Sequence, residues 1–97
     1  MGIATILAQR VFDLSQDDIS DDALHWAKLG VLDTIGVTLA GAVEPCTQKI
    51  ARVVEMESGG DGPALLMGLG RHASVLNAAL VNGVGAHALD FDDCNNT

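Results

Sequence analysis

The chain has no tyrosine, and aromatic residues make up only 3% of its 97 positions. A core built on ring stacking is therefore excluded, and Leu, Val, Ile and Ala must fill it through many small contacts. Such side chains suit close helix packing. Basic residues are also scarce. Arg10, Lys28, Lys49, Arg52 and Arg71 stand against 13 acids, for a net charge of −8. Phosphate backbones and anionic membrane surfaces would be repelled, so neither nucleic acid nor a membrane is an expected partner. Cys46 and Cys94 lie far apart, and Met1-Gly2-Ile3 has neither the basic segment nor the cleavage pattern of a secretory signal. Both thiols are expected to be reduced, in a cytoplasmic protein. Charges or glycines interrupt the longest apolar stretches, so no membrane span is read.

Aliphatic surface, by contrast, is plentiful. Apolar residues make up 48% of the chain, and the mean hydropathy is +0.30. A single domain of this length buries only a modest share of its surface. Some apolar faces are therefore expected to pack on further polypeptide or on a second subunit.

The periodicity predicts an all-α chain. Ile3, Ile6, Leu7, Val11 and Leu14 fall at helical spacing over residues 3–14. Residues 15–20 are a polar break, and Ser20 is the expected N-cap of a long helix over 21–40, with Asp21 and Asp22 in its first turn. Leu24, Ala27, Val31, Ile35 and Leu39 form one stripe, widened by Trp26, Leu29 and Leu32, which asks for burial on more than one side. Gly30 and Gly36 each weaken that helix by roughly 1 kcal/mol relative to Ala, and are read as places where another backbone comes close. Gly41 should stop it. A third helix runs from Pro45 or Cys46 to Glu57, with Ile50, Val53 and Val54 on its apolar face. Residues 59–63 break the chain, 64–67 form at most one short extended segment, and 68–72 read as a turn. Ser74 caps a last helix over 74–88, with Leu76, Leu80, Val84 and Ala88 on one side.

Chemistry points to the end of that helix. Asp90, Asp92 and Asp93 place three acids within four positions. A carboxyl buried among like charges can serve as a general acid or base near neutrality. Phe91 would supply an apolar wall. Spacing alone favours a plainer alternative, a solvated loop or the cap of another helix. A Mg²⁺ or Ca²⁺ site on these oxygens lacks the glycine and distal Glu of a calcium loop, so no metal is expected. His87 lies one turn before Asp90, where it can orient that carboxylate or simply satisfy a backbone group. His25 and His72 have no distinctive partner in sequence. Asn77 and Asn82 are expected to tie the last helix to its neighbours. Cys46 has no Cys-x-x-Cys partner and no local His, so a catalytic thiol is not expected. Gly68-Leu69-Gly70 is too short for a phosphate loop.

The run Ala78-Ala79-Leu80-Val81-Asn82-Gly83-Val84-Gly85-Ala86-His87-Ala88-Leu89-Asp90-Phe91-Asp92-Asp93 resembles the signature of the MmgE/PrpD family. Leu32-Asp33-Thr34-Ile35-Gly36 followed by Leu39-Ala40-Gly41 resembles that family's early helix. The family includes 2-methylcitrate dehydratase, cis-aconitate decarboxylase and iminodisuccinate epimerase. The resemblance implies a large helical domain joined by an α+β lid, usually in a homodimer. It also implies proton-transfer chemistry on small di- and tricarboxylic acids, without metal or organic cofactor. Residues 1–97 would then be a partial N-terminal helical domain, without the lid and the rest of the helical domain. Asp90 matches the position that lines the family's active site, with His87 beside it. Asp93 and Cys94 fall where substrate contacts would follow, although Cys94 stands where the family carries Thr. The family's later His and Lys segments have no counterpart in these residues, so the chain alone is expected to be inactive. The alternative from a different class is a small helical homo-oligomeric module without catalysis, associating through its exposed apolar helices.

Overall fold

A computed structural model describes residues 1–91. It contains four helices, α1 (Ile3–Asp13), α2 (Asp21–Gly41), α3 (Pro45–Ser58) and α4 (Val75–His87), and a hairpin of β1 (Ala64–Leu66) and β2 (Arg71–Ala73). The chain is all-α apart from that hairpin. The extended segment expected near 64–67 is β1, but it is one arm of a pair. Arg71 and His72, read from sequence as part of a turn, belong to its antiparallel partner, in the register Ala64↔Ala73, Leu65↔His72 and Leu66↔Arg71. Three-residue strands are too short to show an alternating pattern, so only the partner reveals them.

Local signals set the boundaries. The Ser20 hydroxyl accepts from the Ala23 amide at 3.1 Å, and the Ser74 hydroxyl accepts from the Asn77 amide at 3.2 Å. Both satisfy first-turn donors that the helix cannot. Residues Gln16–Asp18 form a 3₁₀ turn in the polar break. There the Asp18 carboxylate accepts from the Ser15 amide at 2.8 Å and the Ser15 hydroxyl at 2.9 Å. Pro45 occupies the first turn of α3, and Gly59 ends that helix in the left-handed region at φ 73°, where a Cβ would be strained.

The core sits entirely in the later part of the chain. Ala51, Val54, Leu66, Ala73, Ala78 and Val81 make one buried cluster, with Ile50, Ala64 and Leu69 packed against it. Helices α3 and α4 run antiparallel: the Asn77 side-chain nitrogen Nδ2 donates to the Ser58 hydroxyl at 2.9 Å, and Gly85 faces Thr47. The inward face of α4 is the small one, Ala78, Val81 and Gly85. Leu76 and Leu80, on the side that the periodicity groups with Val84 and Ala88, are 83% and 49% exposed. In α3 the buried face is Thr47, Ala51 and Val54, and Val53 is about half exposed. Small residues win these positions because they bring the backbones together, and closeness recovers contacts that bulk would hold apart.

Helices α2 and α3 meet at 84°, and only the C-terminal end of α2 enters the core, through Thr38 and Gly41. The close approach expected at Gly30 and Gly36 occurs instead at Gly41, where a Cβ would overlap the Gly85 carbonyl. Around Gly30 and Gly36 an added Cβ meets nothing within 4 Å, because that stretch of α2 is uncovered. All of α1 is exposed. No single helix among the described residues is long and apolar enough to cross a membrane.

Candidate functional site

The carboxyl-bearing end of α4 is anchored at the corner between α2 and α3. The turn of Gly85 faces both Thr38 and Thr47, whose side chains are buried at 2% exposure each. Their hydroxyls do not reach outward. Thr38 donates to the Thr34 carbonyl at 2.6 Å, and Thr47 donates to the Gly41 carbonyl at 2.7 Å. Gln48 donates to the Ala42 carbonyl at 2.7 Å. The last carbonyls of α2 are thus satisfied by the first turn of α3, which fixes the corner on which α4 rests.

From this corner the chain turns out. α4 ends at His87, and the Asp90 amide donates to the His87 carbonyl at 3.1 Å. Asp90 itself lies at φ 57°, the left-handed region, the one non-glycine residue with positive φ among the described residues. Asp tolerates that region better than most side chains, but it remains a sparsely populated conformation that the surrounding turn must hold. Its result is a carboxylate set at an abrupt change of chain direction, immediately beyond a rigid helix. The backbone bond sets Asp90 one turn beyond His87. Both are exposed, and so is Phe91. Desolvation of Asp90 would have to come from polypeptide outside residues 1–91. Asp93 and Cys94, the two expected substrate contacts, lie outside the described residues, as does Asp92.

Other sequence candidates fall elsewhere. His25 stands edge-on to Trp26 at 5.8 Å between ring centres on α2, and His72 is on β2. Cys46 is exposed near the start of α3. Among the described residues no three His, Cys, Asp or Glu side chains gather as metal ligands would. Asn82 does the work expected of it, though toward the hairpin rather than a helix. Its amide nitrogen donates to the Leu65 carbonyl and its oxygen accepts from the Met67 amide, both at 2.9 Å. That pair of bonds holds β1 to α4 the way a neighbouring strand would.

A family model, the MmgE/PrpD N-terminal domain, matches residues 5–97. The chain belongs to the MmgE/PrpD family. The match spans nearly the whole chain, from the exposed α1 to the acids beyond α4. Searches of curated proteins and of solved structures return no match. Within this MmgE/PrpD domain, the segment Ala78–Asp90 has a plain physical division of labour. Ala78, Val81 and Gly85 pack α4 inward, Asn82 clips the hairpin, and His87 and Asp90 are carried out at the end.

Proposed function

We propose that this chain is the N-terminal portion of a 2-methylcitrate dehydratase-like enzyme, a lyase or isomerase acting on small di- or tricarboxylic acids by proton transfer. The family match over residues 5–97 carries the reading. In a dehydration, a base takes the proton α to a carboxylate, the carbon–carbon double bond forms, and the β-hydroxyl leaves as water after an acid protonates it. Asp90 is assigned one of these two transfers, with His87 orienting it. Asp93 and Cys94 are assigned to the substrate. No metal or organic cofactor enters this scheme.

The uncovered flank supports the same reading. The apolar residues of α1 and of α2 up to Ile35 are exposed, and Asp90 lacks the shielding that proton transfer needs. One body of further polypeptide, the rest of the helical domain and a lid, would meet both needs. It would also bring the cations that a polycarboxylate requires. The complete assembly is proposed to be a cytoplasmic homodimer, and the 97 residues alone to be inactive. Assays of the purified chain with 2-methylcitrate and cis-aconitate should give no turnover, and turnover should appear when polypeptide carrying the family's later His and Lys segments is supplied. Turnover by the 97 residues alone would contradict the scheme. The exposed arm also fits a second reading, a non-catalytic oligomer. That reading requires a small oligomer of fixed stoichiometry in ultracentrifugation, cooperative melting, and no turnover in any combination.

A further inference from the structure

The basic residues of this acidic chain are not spread evenly. Lys49, Arg52 and Arg71, three of its five cations, border a single open groove of about 400 Å³ with Gln48 and Glu55. Lys49 and Arg52 lie on the side of α3 turned away from its buried Thr47–Ala51–Val54 face. They are one helical turn apart, close enough to act on one ligand. Arg71 reaches the groove from β2 and is held in place by the Glu55 carboxylate at 2.7 Å. Gln48 is fixed by its bond to the Ala42 carbonyl. Three positive groups against one carboxylate leave a local excess of positive charge on a molecule that elsewhere repels anions. Two of those groups are guanidiniums, whose planar forks match oxyanions.

We propose that this groove binds a multivalent oxyanion, through Lys49 and Arg52 on α3 and the free edge of the Arg71 guanidinium on β2. The contrast with the surrounding field matters as much as the local charge. A singly charged ion gains little there, whereas a ligand with two or more negative groups can engage both elements at once. The shared chemistry is that of a phosphate or carboxylate cluster. Asp90 is not among the residues of the groove, and the proposal does not depend on the catalytic reading.

The test is an amide NMR titration of the full chain with pyrophosphate and, separately, with citrate, each against sodium chloride at matched ionic strength. Saturable shifts confined to Gln48–Glu55 and Arg71 in either titration support the proposal, and the stronger of the two identifies the preferred oxyanion. The double variant Lys49→Gln, Arg52→Gln keeps the Arg71–Glu55 pair and should weaken that binding about tenfold or more. Shifts equal to those in chloride, or spread equally over Arg10 and Lys28, would overturn it. So would undiminished binding in the double variant. The wild-type comparison with chloride decides the matter even if the variant fails to fold.

Discussion

At the scale of single residues, the buried threonines show how few polar groups the core admits and how completely each is used. Thr47 spends its hydroxyl on the Gly41 carbonyl at the turn from α2 to α3. A Thr47→Val variant keeps the shape and removes one of the two hydrogen bonds on that carbonyl, the Glu44 amide still donating to it at 3.1 Å, at a cost of about 0.5–1.5 kcal/mol, read from the midpoint of denaturant unfolding. Asp18 offers a test of opposite character, because it is fully exposed. Hydrogen bonds from the Ser15 amide, and then from the Ser15 hydroxyl, hold its carboxyl below the ordinary aspartate value. A folded value below the unfolded one means that the stabilisation is present above the unfolded value and is lost as pH falls through the folded one. Acid titration followed by NMR should therefore show Asp18 titrating below the ordinary aspartate value, with the turn at 15–18 opening as it does. Titration of Asp18 at the ordinary aspartate value would remove that account of the junction.

At the scale of elements, the decisive contact is that of α2 with α4. Gly41→Ala drives a methyl group into the Gly85 carbonyl, and the helices must separate or shift, for a loss of about 1–3 kcal/mol in chemical denaturation. Gly36→Ala is the matched control, because its site is open; there the better helix propensity of Ala should raise stability slightly. Four helices, their caps at Ser20 and Ser74, and the stop at Gly59 were legible in the sequence, since each rests on contacts within a few residues. Which glycine meets a neighbour was not, because Gly30, Gly36 and Gly41 look alike until α4 is in place. The inward face of α4 was not legible, for a related reason. Both its sides are apolar, so the spacing of Leu76, Leu80, Val84 and Ala88 does not say which side is covered. The hairpin was half legible, as its second strand depends on register. In the candidate site, the place of Asp90 one turn beyond His87 could be read from their spacing. The left-handed conformation of Asp90 could not, because no glycine marks it.

At the scale of the whole molecule, the radius of gyration is 16.9 Å and the extents are 45 × 26 × 26 Å, whereas a compact domain of this length has a radius of about 12.5 Å. The difference is the arm made by α1 and the first part of α2, which lies outside the core. Its apolar side chains form one side of a groove along Leu24, Ala27, Lys28, Val31, Leu32 and Ile35, more uncovered aliphatic surface than a monomer keeps without a use for it. Trp26 sits on this arm at 64% exposure and is the sole tryptophan, so its emission reports the arm directly. It should be solvent-like in dilute solution and shift to shorter wavelength when further polypeptide covers α2. An unchanged emission on addition of that polypeptide would mean that the arm is not the docking face.

The claim that matters most is that Asp90 transfers a proton during turnover. It is tested by measuring 2-methylcitrate dehydration in the assembly that carries the family's later segments, with Asp90 and with Asp90→Asn. The substitution removes the transferable proton while keeping size and a residue tolerant of the left-handed turn. The account predicts a fall in kcat of about 10²-fold or more with the assembly still folded. A folded Asp90→Asn assembly that turns over at the original rate would contradict it.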